Sequence, residues 1–347
     1  VRKRLAVQRV LALAGLREWL AFPVHRPRHV GPAIPKETLL LAQRASTGAQ
    51  FRGFSCAVGG GLYAFKDIER AAASVQLLSS AARQLWTGGQ RLQVGIFPHG
   101  MLGQVSTNLA SRYAARWAFA PVFLPVAVLS EKPRERMLQV VTFMVAGLHR
   151  AAPQYPHLPW VLKPTEASRH MHILPDDVRA YVDVDVLESD VAAGHPSLRA
   201  TSFEVLSRAD SGYRISGYDE VTCSADLASS SFYFQDRGVT TVELPEGGEM
   251  VNYTMPELRV RPSGWRLGRG SIFEWHGTAH FVDLAGGLQC ELRFGAAVGL
   301  GGDAVAGAVR DATGVEIGRI RGSWLGPLVC DGELLWKGPR QNSAPQY

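Results

Sequence analysis

The spacing of apolar residues changes character about halfway along the chain. In the first half the repeats are helical. Residues 66–86 (KDIERAAASVQLLSSAARQLW) are alanine-rich and periodic, and Thr87, Gly88 and Gly89 stop the pattern. The stretch 108–119 continues in helical texture. Residues 135–149 (ERMLQVVTFMVAGLH) are apolar nearly all round, which predicts a buried helix, with Pro133 and Arg134 as its start.

From about Tyr181 onward the period shortens to two. Alternating or β-branched runs occur at 181–186, 239–244, 272–281, 288–294, 304–310 and 315–321. Turn signals separate them: Glu246-Gly247-Gly248, Ala285-Gly286-Gly287 and Asp311-Ala312-Thr313-Gly314. Strands at intervals of about ten residues predict an antiparallel meander. A long sheet must protect its edges, and closure into a barrel does so. The predicted fold is therefore mixed but mainly β: a large antiparallel β-barrel over about 180–340, with N-terminal helices and the 135–149 helix packed against it. A barrel of many strands is wide enough inside to hold a ligand.

Composition refines this picture in two places. The 347 residues are 46% hydrophobic, enough for a core, yet no apolar run reaches the roughly 18 residues that cross a bilayer as a helix. Any membrane role is expected at the surface or within a larger assembly. Charge is the second. Residues 1–66 hold eleven Lys/Arg and two acids, a net of +9 in a chain whose total is +6, so the remainder sums to −3. Such an arm expects an anionic partner. No recognised nucleic-acid module is present, so the expected partner is not a nucleic acid.

The beginning of that arm, 1–22, reads as a basic amphipathic helix with Leu5, Leu13, Leu16 and Leu20 near one face and Arg2, Lys3, Arg4, Arg9 and Arg17 as its docking charges. An Arg-rich, acid-poor start fits a mitochondrial targeting remnant, a helix lying on an anionic membrane or partner, and a solvated tail. The chain opens on Val1, and processing upstream is expected. Residues 1–66 are expected to form a docking arm outside the barrel, whose removal leaves the barrel folded. Residues 67–340 form the second unit, and 341–347 a tail.

Candidate chemistry is sparse. Cys56, Cys223, Cys290 and Cys330 are far apart and lack zinc-site spacing, which suits a reducing compartment. His276 and His280 have HxxxH spacing, but on a strand they stand about 13 Å apart. His170 and His172 have no completing ligand. Gly299 to Ala304 imitates a dinucleotide loop without the helix that must follow. Asp183 and Asp185 share a strand face, where a half-exposed strand is the simpler reading. Trp265, Trp275, Trp324 and Trp336 are candidates for lining a cavity or for ordinary core packing. No nucleophile elbow or triad framework appears, so no catalytic residue, metal site or cofactor is assigned and the protein is read as non-enzymatic.

Several segments, in order, resemble the oxysterol-binding-protein-related family. ERMLQVVTFMVAGL at 135–148 resembles that family's ERM-x-x-V-x-x-F-x-V-S-G-Y helix, and Leu85-Trp86 its domain opening. The stretch 256–294 resembles its central strands, 305–324 the hairpin ending G-S-W, and Leu334-Leu335-Trp336-Lys337 its L-L-W-K. The resemblance covers about 85–340 and stops short of the family's C-terminal helical segment.

What the resemblance implies is a lipid-binding domain for a sterol or phospholipid. In the family, a Lys, an Asn and two His hold the phosphates of phosphatidylinositol 4-phosphate at the barrel mouth. The motif K-P-F-N-P-L-L-G-E-T survives here as Lys163-Pro164-Thr165-Glu166, and E-Q-V-S-H-H-P-P as Gly194-His195-Pro196. By resemblance Lys163, Pro164, His195 and Pro196 form a degenerate headgroup site. Glu166 replaces the Asn, adding a like charge that costs about 1 kcal/mol or more, and Gly194 replaces a His donor worth about 1.5–3 kcal/mol to a phosphate. Two functions from different classes follow. One is lipid binding with a degenerate phosphoinositide site. The other is a degenerate copy of the fold acting as a structural accessory subunit of a large, mitochondrial membrane complex. The expected location is intracellular and peripheral to a membrane, with the mitochondrion among the candidates.

Overall fold

The computed structural model describes residues 54–56, 62–64, 92–93, 116–152, 168–173, 179–186, 199–206, 212–226, 231–244, 249–262, 271–295 and 301–338. In chain order the elements are β1 (Phe54–Cys56), β2 (Leu62–Ala64), β3 (Leu92–Gln93), α1 (Ala120–Leu129), α2 (Pro133–Ala151), β4 (Ser168–Ile173), β5 (Arg179–Val186), β6 (Arg199–Leu206) and β7 (Arg214–Asp226). They continue as β8 (Ser231–Leu244), β9 (Glu249–Tyr253), β10 (Glu257–Pro262), β11 (Ser271–Asp283), β12 (Gln289–Phe294), β13 (Ala304–Arg310), β14 (Glu316–Ser323), β15 (Leu328–Cys330) and β16 (Glu333–Trp336).

All described strands belong to one antiparallel sheet. Its path runs from β16 back through β15, β14, β13, β12, β11, β10, β8, β7, β6 and β5 to β4, the meander the strand spacing predicted. β9 and β10 together fill one lane between β8 and β11. β9 pairs with the Thr240–Leu244 end of β8 and with Phe281–Asp283 of β11, whereas β10 pairs with Phe232–Phe234 and with Ser271–His276. The ladder crosses the break because Thr254 donates its N–H to the carbonyl of His280 and receives the His280 N–H on its hydroxyl.

The sheet also reaches back into the segment expected to be a separate arm. β1 pairs with β2, and β2 pairs with Ser271–Phe273 of β11, along the edge that β12 leaves open below Gly277. The expectation that all of 1–66 stands outside the sheet is therefore corrected. A strand edge with unpaired N–H and C=O groups is satisfied by this short ribbon. β3 likewise pairs with β7 at Ser224–Ala225. The proposed helix at 66–86 and the basic residues Arg2, Lys3, Arg4, Arg9 and Arg17 lie outside the described residues.

Helix α2 forms where predicted. Pro133 opens it with a preset φ, and Glu135 sits in the first turn, where the positive end of the helix dipole favours an acid. From Met137 to Leu148 only Gln139 is not buried, as the all-round apolar pattern implied. The helix runs antiparallel to β11. Pro133 lies against Gly286 in the β11–β12 turn, and Leu148 at the other end accepts a hydrogen bond from the indole N–H of Trp275 at 3.2 Å. Phe273, Trp275, Ala279, Phe281, Leu292 and Phe294 form the sheet face beneath it. α1 starts with Pro121 in its first turn and ends at Ser130, whose hydroxyl donates to the Val126 carbonyl. No described helix is long and apolar enough to cross a membrane.

Candidate functional site

Lys163, Pro164, His195 and Pro196, together with Glu166 and Gly194, lie outside the described residues. The strands that flank them are described. Lys163 precedes β4 and His195 precedes β6, and Ser168 of β4 pairs with Val184 of β5, which pairs with Thr201 of β6. β4 and β6 therefore start at the same end of the sheet. Antiparallel pairing of β4 to β5 and of β5 to β6 makes this inevitable, because alternate strands start on the same side.

The described polar residues gather into clusters that fasten helices to sheet. In the most deeply buried of these, the Arg116 guanidinium bonds Asp219 of β7 at 2.6 Å and Asp236 of β8 at 3.2 Å, with the side chains 3% and 1% exposed. The two carboxylates reach one side of the β7–β8 ladder because Gly238, opposite Asp219, leaves room. A Cβ there would come within 1.8 Å of the Tyr218 carbonyl and 2.5 Å of the Asp219 carboxylate. The Arg116 backbone in turn presses on Gly147 of α2, where a Cβ would lie 2.2 Å from its carbonyl oxygen. Nearby, Tyr253 stacks on Phe281 at 5.4 Å. Burial pushes its hydroxyl up to about 12, against the pull of Arg116.

Two further ion pairs hold α2. Arg134 donates from Nε to the Ile317 carbonyl at 2.9 Å and from its fork to Asp331 at 2.6 Å, tying the helix start to β14 and to the β15–β16 turn. Arg136 pairs with Glu249 at the start of β9. On the opposite face of β10 and β11, Arg261 grips Glu274 in a two-pronged contact of 3.1 and 2.6 Å, and Arg259 bonds the Ser231 hydroxyl. These carboxylates are held in ion pairs, and Asp331 also accepts a hydrogen bond from the Cys330 thiol at 3.6 Å. Burial pushes the Cys330 thiol up to about 11 and that of Cys290 further, so both stay protonated and unreactive at neutral pH.

Among the remaining sequence candidates, Trp265, Gly299 and Leu300 lie outside the described residues, His170 and His172 fall on β4 and Asp183 and Asp185 on β5, and the others are packing or turn residues. Trp275 and Trp324 are fully buried, and each indole donates to a backbone carbonyl, of Leu148 and Gly302 respectively. Both are core residues. Trp336 is partly buried against Phe119. His276 and His280 sit on β11 opposite Glu257 and Glu291, and among the described residues no group of side chains is arranged to hold a metal. Gly301 to Asp303 form the turn into β13. Sequence reading missed Arg116, Asp219 and Asp236. The one signal for them was acidic residues inside otherwise β-like runs.

A mainly-β chain built as one large antiparallel meander over a buried helix defines the fold class, and that class is shared with ORD domains, the lipid-binding unit of the oxysterol-binding-protein-related family. Among solved structures the chain is similar to the Osh1 ORD domain in complex with cholesterol and to the same domain with ergosterol, each at 19% identity and a TM-score of 0.50 over 76% of this chain. It is also similar to the Osh3 ORD in complex with PI(4)P from Saccharomyces cerevisiae, at 14% identity and a TM-score of 0.52 over 78% of this chain. It spans 64% and 65% of the two Osh1 chains and 67% of the Osh3 chain. No family model and no curated protein matches the sequence. The resemblance seen in the sequence thus holds at the level of the fold.

Proposed function

We propose that this protein is a non-enzymatic lipid-binding module for a sterol or phospholipid, with a degenerate phosphoinositide site. The observation that carries this reading is the shared fold. Three structures of similar fold hold cholesterol, ergosterol or PI(4)P. The ordered motifs from 135 to 337 support the same family, and by that resemblance Glu166 and Gly194 replace residues that donate to a phosphate. Association with an intracellular membrane, and a mitochondrial location in view of the basic N-terminus, belong to this proposal.

The test is lipid capture. Purified protein is mixed with liposomes containing cholesterol, phosphatidylcholine and either phosphatidylinositol 4-phosphate or another anionic lipid of matched charge, and the lipid carried into solution is identified by mass spectrometry. Sterol or phospholipid is expected, with no preference for the phosphoinositide. Selective extraction of that lipid, abolished by Lys163→Ala or His195→Ala, overturns the degenerate site.

One observation favours a second reading, an accessory subunit that carries no lipid. Buried side chains of α2 and of β8–β15, Trp275, Phe281 and Phe294 among them, pack into one core made of the chain's own residues. Soluble protein free of any lipid in the same experiment supports that reading and sinks the first.

A further inference from the structure

Helix α1 has the surface of a helix that is not meant for water. Its ten residues, APVFLPVAVL, include no charged or hydrogen-bonding side chain. Ala120, Leu124 and Ala127 point into the core. Val122, Val126 and Leu129, spaced i, i+4 and i+7, face outward and are 55%, 46% and 79% exposed. An ordinary surface helix places polar residues on that stripe. Beside the stripe lies a group of partly buried rings. Phe119 and Phe123 are 6.3 Å apart, and Phe119 meets Trp336 of β16 at 6.2 Å. At the margin, the Lys132 side chain is 76% exposed and pairs with Glu135, and Glu131 is exposed beside it, so these three residues bring no excess of basic charge to the rim.

We propose that α1, with the Phe119–Phe123–Trp336 rings, is a docking face for a lipid bilayer. Three aliphatic side chains and three part-covered rings fall well short of the ~800 Å² per partner that a stable protein interface needs. A bilayer asks for no matching shape and accepts a small apolar ridge whose flanking rings settle at headgroup depth. Ten helical residues span only about 15 Å, so α1 lies in the interface and does not cross it. The purpose of this face rests on the lipid-binding reading, since a carrier must meet the bilayer it serves. The geometry itself does not depend on that reading.

The experiment uses the full chain and phosphatidylcholine vesicles, neutral so that the basic N-terminal arm contributes little. Val122→Gln, Val126→Gln and Leu129→Gln are combined, because glutamine is a better helix former than valine and the positions are exposed, so folding is preserved. Vesicle flotation is expected to fall at least tenfold in the variant and to be insensitive to salt in the parent. In parallel, a fluorophore sensitive to polarity is attached at Val126→Cys and is expected to shift to the blue on adding vesicles. Equal flotation of parent and variant, or an unshifted fluorophore, overturns the proposal. So does a dimer in light scattering that the variant abolishes while the parent fails to float, since the occupant is then a second copy. Lipid delivered from cyclodextrin separates the two ideas. A variant that no longer floats yet still takes up lipid supports this face, and a parent that floats but takes up none leaves the face standing while the lipid-binding reading fails.

Discussion

Arg116, Asp219 and Asp236 show what a single buried cation holds together. With two carboxylates less than 4 Å from one guanidinium and all three shielded from water, removing the cation strands two charges. Breaking a buried pair costs about 3–5 kcal/mol, whereas replacing all members with apolar side chains of similar size is often neutral. Arg116→Met is therefore expected to lower the unfolding free energy measured by urea titration by that order. The combination with Asp219→Leu and Asp236→Leu is expected to recover most of it. A single substitution without effect means the cluster is not the pin described. Gly238→Ala probes the same spot sterically. Its Cβ collides with backbone, which cannot step aside, so a loss of about 2 kcal/mol or more is expected in the same denaturation assay. Acid acts at a different residue. The Arg319 N–H and then Cys330 and Arg134 hold the Asp331 carboxyl below the usual carboxylate range. A depressed folded-state value contributes stability above the unfolded-state value near pH 4, lost as pH falls through the folded one. Thermal unfolding of Asp331→Asn is expected to show a flatter pH profile than the parent below about pH 4, with the difference gone when both are measured more acid still.

Among the elements, α2 and β11 are the pair on which the rest is assembled. Helix and strand run antiparallel with Phe143, Leu148, Trp275 and Phe281 fully buried between or around them. Phe143→Ala opens a cavity and is expected to cost about 3–5 kcal/mol, while Trp275→Phe keeps most volume, loses the bond to the Leu148 carbonyl and is expected to cost about 1–2 kcal/mol. The β1–β2 ribbon makes a separate prediction. A chain lacking 1–53 retains both strands, whereas one lacking 1–66 bares the Ser271–Phe273 edge of β11. Chemical denaturation is expected to find the first as stable as the parent and the second weaker. Equal stability of the two shorter chains would mean that the ribbon adds nothing. How legible these elements were follows from their burial. α2 declared itself because a helix surrounded by core must be apolar all round. β13 was read to the residue because its interior is unbroken. β7 (RISGYDEVTCSAD) and β4 (SRHMHI) were missed, because polar residues interrupt their period, and β1 to β3 are too short to show one.

At the scale of the whole molecule, two features are proposed to meet a membrane, the basic charge of 1–66 and the apolar stripe of α1. The basic residues of 1–66 are proposed to attract an anionic surface, by roughly 1 kcal/mol per residue near such a membrane, screened over about 8 Å at physiological salt. Binding to anionic vesicles is expected to weaken as salt rises. Binding through α1 is not, so a salt titration on the two vesicle types separates the contributions.

Determined by the sequence alone were the class of the fold, the antiparallel meander, the position of the buried helix and the family resemblance, since periodicity and turn chemistry act over a few residues and are written locally. The candidate headgroup residues were legible only through that resemblance. Decided by tertiary structure alone were the return of β2 to β11, the single lane shared by β9 and β10, and the meeting of Arg116 with Asp219 across 103 residues. These depend on which distant surfaces touch. A carboxylate in a strand reads the same whether water or a guanidinium awaits it, and a glycine reads the same whether it turns the chain or makes room for a charge. Only packing distinguishes them, because the cost of burying a charge or a Cβ is set by the neighbours the fold brings in.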